Sequence, residues 1–416
     1  MSKKSSDFVK SQAAKSGIGF VQLWVADIAG RLRGVTVTAG QLEQAFDDGA
    51  AMPVRALGVQ PRRADDAVLL LPDAATWAIL PRSDGAGAVV ARMFCDALEP
   101  DGTPCAWDSR GALKRALGHA SDLGYTFYAG ASLQHYYLTG AGGAPAPLDA
   151  GPDHGFGPGP ARQELLHATV RALQQLGAVV NVVTQASGPA QQELELAWAD
   201  ALTMADTVVT HRRVTCDIAR ARGNAATFMP FPFAAAPGSA MHLTLSLHDG
   251  GEPAFWDPVD PAGRSATAHQ FAAGVEAASA ALSLIARPTV NSYTQALAAG
   301  PQVTLTPAGA RGDDDGTLHY RGADASANPY LVLAALLEAG MGAMRAGEAP
   351  TAPTAPSGAH PVTLVQAAAL AEGSALLRQV LGAELLAALV ATARSEGAAY
   401  RNQVTPWELQ RYLDVY

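Results

Sequence analysis

Residues 125–137 read YTFYAGASLQHYY and have the composition of a long β-strand. Aromatic and apolar residues dominate the run, as in a strand with at least one buried face. Residues 110–123 have a helical pattern, and residues 140–160, which are rich in glycine and proline, are predicted to form a long loop. The strand is therefore expected to be a bounded element in a domain that mixes helices with sheet.

The sequence beyond this loop continues to mix the two kinds of element. Leu166, Val170, Leu173 and Leu176 recur at helical spacing and predict a helix. Because strands and helices do not alternate strictly, an α+β fold is favoured over a doubly wound sheet. The other predicted elements are helices at 190–207 and 266–286, a helical tail from Val362 almost to the end, and strands at 178–183 and 242–247.

The N-terminal quarter of the sequence has a different character. Short strand-like runs at 20–25 and 88–94 are separated by Gly, Pro and Asp turn signals, with one predicted helix at 39–48. This pattern indicates a small mixed β domain, and the length of the chain suits two domains rather than one core. The predicted domains are 1–106 and 107–416.

The composition is that of a globular protein without a nucleic-acid surface. Apolar residues make up 49% and charged residues 16%, which favours a packed core and, with abundant alanine, a subunit of a homo-oligomer. The net charge of −9 and the dispersed basic residues argue against nucleic acid as a partner. The polar start lacks the apolar core of a signal peptide, and no run of about 18 apolar residues occurs. We therefore expect a cytoplasmic protein that is not inserted in a membrane.

Several short motifs recur in the order and spacing of one enzyme family. In the N-terminal part they are WVADIAGR at 24–31, LPD at 71–73, and Asp96, Gly102, Pro104, Asp108 and Arg110. In the C-terminal part they are TFMP at 227–230, GSAMH at 238–242, PTVNSY at 288–293, and NPYL at 328–331. Together they resemble the type I glutamine synthetase family over nearly the whole chain.

This resemblance implies a fold, an assembly and a reaction. The expected fold is an N-terminal β-grasp domain followed by a larger catalytic domain, whose curved antiparallel sheet is flanked by helices. The expected assembly is a dodecamer of two hexameric rings with active sites between neighbouring subunits. Family members use ATP with Mg²⁺ or Mn²⁺ to phosphorylate the γ-carboxylate of glutamate, which ammonia or an amine then captures.

The same resemblance locates the positions of the family's metal ligands, five glutamates and one histidine. Only one glutamate and the histidine are retained, so the formal ligand charge falls from −5 to −1. Because Mg²⁺ gives up its waters only to carboxylates or phosphates, two magnesium ions are not expected here. His135, next to Gln134, is predicted to point to the opposite face of the strand. The six positions hold Ser132, Gln134, Gln185, Glu193, His242 and His319.

Other positions implied by the resemblance are altered as well. Phe231 replaces a lysine, and Gln302 replaces the flap glutamate that deprotonates ammonium, a role for which an amide has no basic oxygen. Arg321 matches a retained catalytic arginine. Ser246 and Arg311 are the candidate nucleotide-binding residues.

Three functional hypotheses follow from these losses. The first is a pseudoenzyme that acts by binding or by co-assembly, for example with an active paralogue. The second is an active γ-glutamyl amide ligase with unusual metal use, or a repurposed enzyme, in which Glu193, His242 and His319 hold a single transition metal. The alternative to His319 as a metal ligand is a purely structural role for this histidine. The third is a sensor that binds an amino acid or an amine in the old substrate cleft.

Overall fold

Two sheets organise the part of the chain that the structure describes, one of six strands and one of nine. The structure is a computed structural model of the whole chain. The described residues are 3–60, 63, 66–81, 89–139, 145–150, 159–295, 302–306, 316–347 and 360–415.

The N-terminal unit is the six-stranded sheet with two helices beside it. Its strand order is β2-β1-β6-β4-β3, with β5 also paired to β6, and β1 and β6 run parallel. The predicted strand at 20–25 is confirmed, and so is the one at 88–94 from Val89 onwards, since residue 88 lies outside the described residues. Helix α1 escapes prediction because Val9 and Ala13 are its only buried side chains among those described. The bounds are α1 (Lys3–Lys15), β1 (Ile18–Ala26), β2 (Leu32–Thr38), α2 (Leu42–Asp48), β3 (Ala50–Pro53), β4 (Ala67–Pro72), β5 (Ala78–Ile79) and β6 (Val89–Leu98).

The C-terminal unit contains the larger, curved sheet and most of the helices. In chain order, its first elements are α3 (Ser109–Asp122), β7 (Tyr125–Thr139), β8 (Ala146–Pro147), α4 (Pro160–Gln175), β9 (Val180–Gln185), β10 (Gln191–Asp200), α5 (Ala201–Ala221), β11 (Asn224–Thr227) and β12 (Ala240–Asp249). The remaining elements are β13 (Glu252–Pro253), α6 (Ala266–Ala286), β14 (Val303–Thr306), β15 (Thr317–Asp324), α7 (Pro329–Ala346), α8 (Leu364–Glu372), α9 (Ala375–Leu381), α10 (Ala383–Arg401) and α11 (Pro406–Tyr412).

Strand β7, the stretch predicted from residues 125–137, lies in the middle of this sheet. The strand order is β14-β15-β12-β7-β10-β9, and every pairing along it is antiparallel. Helices α3, α5, α6 and α7 contribute to the principal hydrophobic core together with the sheet. The α+β class and the curved antiparallel sheet expected from the sequence are therefore confirmed.

The predicted helix at 190–207 is wrong in its first half, because residues 191–200 form strand β10. Leucine, glutamate and alanine favour helices intrinsically, and this misled the prediction. In the structure Leu194 and Leu196 are buried, whereas Glu193 and Glu195 are only half-buried, which is the two-residue period of a strand. Pairing with both β7 and β9 overrides the local preference. Helix α5 begins only at Ala201.

The tail after Val362 is helical, as predicted. Helices α8, α9 and α10 bury apolar residues such as Leu364, Leu377 and Leu385, whereas α11 buries none. Among the described residues no single helix is long and apolar enough to cross a membrane. Only the pair 375–381 and 383–412, bent by 113°, reaches that length and composition when its members are taken together.

A buried arginine connects the two units. The Arg110 guanidinium of α3 lies 2.8 Å from a carboxylate oxygen of Asp73 and 2.8 Å from one of Asp96, both in the N-terminal unit. It also lies 3.2 Å from Asp206 of α5, which accepts a 2.6 Å hydrogen bond from the Tyr330 hydroxyl. One cation thus neutralises carboxylates from both units inside the protein.

We expect Arg110→Leu to lower the free energy of unfolding by about 3–5 kcal/mol, because it leaves the buried carboxylate of Asp206 without its cation. Arg115→Leu is the matched control, since Arg115 is exposed on the same helix and should change stability by only about 0.5 kcal/mol. Urea unfolding followed by circular dichroism measures both. Equal midpoints for the two variants would contradict a structural role for Arg110.

Candidate functional site

Four of the six predicted metal positions lie together on three adjacent strands. In the register, Gln134 of β7 lies opposite Glu193 of β10, and Ser132 of β7 lies opposite His242 of β12. The Ser132 hydroxyl donates a short hydrogen bond to Glu193 Oε1, and Gln134 Nε2 donates to Glu193 Oε2 at 2.9 Å. His242 Nδ1 lies 3.8 Å from Glu193 Oε1. We call these four residues the polar cluster.

The hydrogen bonds of the polar cluster have a definite direction. Gln134 Oε1 accepts a 3.0 Å hydrogen bond from the backbone amide of Ala240, which turns the amide nitrogen of Gln134 towards Glu193. Both carboxylate oxygens of Glu193 therefore accept hydrogen bonds from side chains at two other predicted metal positions. Burial lowers the pKa of His242, and the negative charge of Glu193 opposes that shift. The cluster has one formal negative charge, on Glu193, and both oxygens of this carboxylate accept hydrogen bonds from within the cluster.

His319 lies further along the same surface but does not join the polar cluster. It is opposite Thr244, which is two residues after His242 on β12. Its Nδ1 lies 3.3 Å from Thr244 Oγ1, and its Nε2 lies 3.5 Å from Thr317 Oγ1. Within the described residues, no three His, Cys, Asp or Glu side chains come together as a metal site. The arrangement favours the structural role for His319 over the three-ligand set with Glu193 and His242.

The structure places the other predicted positions as follows. Gln185 ends β9 opposite Gln192, so the register puts Thr184, rather than Gln185, on the face of Glu193. Ser246 is on β12 but is buried, with its hydroxyl enclosed. Gln302 is buried just before β14, where its backbone carbonyl accepts a 2.9 Å hydrogen bond from the backbone amide of Arg321, a residue with an exposed side chain. Arg311 lies outside the described residues.

Two residues of this surface were missed by the motif comparison. Glu195 follows Glu193 by two residues on β10 and lies opposite Ser132, which adds a carboxylate to the same face. Thr244 lies between His242 and His319. The two-residue period of a strand, counted from Glu193 or His242, would have found both.

The retained motifs hold the backbone beside the polar cluster. Asn291 accepts a hydrogen bond from the backbone amide of Phe231 and donates one to its carbonyl, at 2.8 and 3.0 Å. Ser239 donates its backbone amide to Pro230 at 2.7 Å and accepts from that of Ala325 at 2.9 Å. The motifs around residues 230, 239, 291 and 325 therefore form one hydrogen-bonded frame. A cavity of about 520 Å³ adjoins the frame, lined among others by Arg31, Met229 and Glu396.

On the other face of β7, two histidines are buried against each other. The ring centroids of His135 and His211 are 5.6 Å apart, and both rings pack on Phe228. Neither ring has a hydrogen-bond partner among the described residues. Burial lowers the pKa of His135 to about 3 and that of His211 well below its ordinary value. His135 thus points away from the polar cluster, as predicted.

Comparisons with known proteins show the family to which the chain belongs. Residues 106–412 match the family described as "Glutamine synthetase, catalytic domain". The chain is 33% identical over 445 aligned residues to the glutamine synthetase of Mycolicibacterium smegmatis, covering 99% of this chain and 100% of that protein. It is 31% identical to the glutamine synthetase of Mycobacterium tuberculosis, covering 99% of this chain and 100% of that protein. The chain belongs to the glutamine synthetase family.

Solved structures show the same relationship. The structure described as "GmaS/ADP complex-Conformation 1" has a TM-score of 0.86 and 26% sequence identity, covering 97% of this chain and 99% of that one. "Apo GmaS without ligand" has a TM-score of 0.85 and 26% identity, covering 98% and 99%. Members of the family are generally oligomeric and typically use ATP with divalent metals.

The buried histidine pair should make the protein sensitive to acid. The pKa of His135 is about 3 in the folded protein and about 6.5 in the unfolded chain, so unfolding takes up a proton between these pH values. Its contribution to stability is present above pH 6.5 and is lost by about 1.4 kcal/mol for each pH unit below that. We expect His135→Leu to flatten this fall, measured by urea unfolding from pH 7.5 down to about pH 4.5.

Phe228→Leu is the control for this measurement, because it loosens the same packing without removing a titratable group. It should lower stability by a similar amount at every pH and leave the slope unchanged. An unchanged slope in His135→Leu would contradict the assignment.

Proposed function

We propose that this protein is a pseudoenzyme of the glutamine synthetase family, which keeps the fold but does not perform ordinary Mg²⁺-dependent ligation of glutamate with ammonia or an amine. It would act by binding a small molecule or by co-assembly. The observation that supports this most strongly is the hydrogen bonding of Glu193 by Ser132 and Gln134.

The chemistry of phosphoryl transfer explains why this observation matters. Divalent cations must neutralise the charge on the triphosphate and on the transferred group. A hydroxyl and an amide at the positions of two carboxylates supply no charge to hold such ions, and here both act as donors to the remaining carboxylate. The residues present therefore do not fit a pair of magnesium ions. By the resemblance, Gln302 stands at the position of the basic flap glutamate, and Phe231 stands at the position of a lysine. This chain therefore lacks that base and that cation.

The assembly is the second part of the proposal. We infer a homo-oligomer of the double hexameric ring type, located in the cytoplasm, in which an active paralogue would be the second component of any mixed ring. The exposed apolar residues of the last helical segment, such as Trp407 and Leu413, are available for contacts between subunits.

An active γ-glutamyl amide ligase is the second candidate. The similarity to a GmaS structure in complex with ADP favours it. So does Glu195, which adds a second carboxylate to the face of Glu193. The third candidate is a sensor that binds an amino acid or an amine in the 520 Å³ cavity beside the hydrogen-bonded frame.

Calorimetric titration of ATP with Mg²⁺ or Mn²⁺ tests the proposal, together with phosphate release in the presence of glutamate and ammonia or small primary amines. We expect no metal-dependent nucleotide binding and no phosphate release above background. The M. smegmatis glutamine synthetase is the positive control. Amine-dependent release of phosphate would overturn the pseudoenzyme proposal in favour of the ligase.

The double variant Ser132→Glu/Gln134→Glu provides an independent test. Two added carboxylates beside Glu193 repel each other, so the variant should unfold at a lower temperature than the parent in the absence of metal. Mn²⁺ should raise its melting temperature, because an ion that binds only the folded state stabilises it. The parent should respond much less. An equal response of parent and variant to Mn²⁺ would mean that the native cluster already holds the ion.

A further inference from the structure

A second cavity, of about 320 Å³, lies between the N-terminal sheet and helices α4 and α5. We propose that it is a binding site for a small dianion. None of the polar cluster lines it, so the inference is independent of the function proposed above. We call it the arginine cavity. It is lined by Gln22, Trp24, Leu80 and Pro81 of the N-terminal unit and by Ala168, Arg171, Ala172, Gln175, Arg213, Val214, Asp217, Ile218 and Arg222 of α4, α5 and the residue after α5.

The charge of the lining selects anions. Three arginines, Arg171, Arg213 and Arg222, face one acidic residue, Asp217, which leaves a formal charge of +2 in a protein whose net charge is −9. Asp217 is shared, since its carboxylate lies 2.5 Å from Arg213 and 3.3 Å from Arg220, and Arg222 lies 3.3 Å from the carboxylate of Glu164. With Arg220 and Glu164 counted, the formal surplus is still two positive charges. Arg171 has no ion pair among the described residues. The cavity thus has more cationic than anionic groups within reach of a ligand.

The lining of the cavity includes a buried aromatic side chain and several apolar residues. Trp24 is 4% exposed, and Arg92 lies 5.4 Å from the centroid of its ring. The indole nitrogen of Trp24 donates a 2.9 Å hydrogen bond to Gln22 Oε1, which leaves the amide nitrogen of Gln22 as a donor for a ligand. Leu80, Pro81 and Val214 supply apolar surface. A volume of about 320 Å³ lies at the lower end of the range for small-molecule sites.

These features define the ligand by its chemistry. Guanidinium groups bind carboxylate and phosphate oxygens through paired hydrogen bonds. A ligand with two negative charges neutralises the surplus of two positive charges. The indole of Trp24 and the ring of Pro81 suit a short carbon chain between the charged groups. A dicarboxylate or a phosphorylated small molecule shares this chemistry. Because residues of both units line the cavity, such a ligand would also stabilise their contact.

Isothermal titration calorimetry at low ionic strength tests the proposal with succinate and inorganic phosphate as the probes. Succinamide, which has the shape of succinate without its charge, is the control ligand. We expect at least one anion to bind and to raise the melting temperature, and binding should weaken with added salt. Binding of succinate alone assigns the site to dicarboxylates, and binding of phosphate alone assigns it to phosphate groups. No heat from either anion at about 10 mM, or equal binding of succinamide, would overturn the proposal.

Two variants locate the binding in the arginine cavity. Arg171→Gln should weaken it roughly tenfold, the effect of losing one charge-assisted hydrogen bond. Ala168→Phe should abolish it by filling the space without changing the charge. Arg115→Gln is the control, because this exposed arginine does not line the cavity and should leave affinity unchanged. If the folded Arg171→Gln and Ala168→Phe proteins bind as the parent does, the anions bind elsewhere and the proposal fails.

Discussion

The pairing of β7 between β10 and β12 is the constraint on which the rest of the structure depends. Opposed residues in an antiparallel pair share a face, so this register decides which side chains meet. It sets Gln134 beside Glu193 and Ser132 beside His242. It also directs His135 to the other face, into the packing around His211. A shift of one residue would exchange the polar cluster for the buried histidine.

The polar cluster holds its one carboxylate by hydrogen bonds from the neighbouring strand. Several carboxylates held close together repel one another unless cations lie between them. Here the Ser132 hydroxyl and the Gln134 amide donate hydrogen bonds to Glu193, so the single carboxylate of the cluster is stabilised by the protein itself. The retained motifs around Asn291 and Ser239 hold the neighbouring backbone by hydrogen bonds that need no ligand. The residues that hold the backbone are therefore different from the residues of the polar cluster.

The contact between the two units combines a buried ionic network with an arginine-lined space. Arg110 neutralises carboxylates of both units, and Gly30 fits closely against Asn328, where a Cβ would lie 2.9 Å from the Cα of that residue. At the arginine cavity the same contact leaves positive charge exposed to solvent. The difference follows from the surroundings, since Arg110 is enclosed by Asp73, Asp96 and Asp206, whereas Arg171 is not enclosed by acidic groups.

The sequence by itself determined the family, the α+β class and the strand at 125–137, because ordered motifs and local periodicity are properties of the chain. It also predicted six metal positions, of which four lie together in the structure. Only the tertiary structure decided that residues 191–200 form a strand, that Thr184 rather than Gln185 faces Glu193, and that His319 meets threonines. Pairing between segments far apart in the chain overrides local preference and fixes the face of each side chain. The histidine pair and the arginine cavity depend on the same long-range contacts, which leave no local pattern in the sequence.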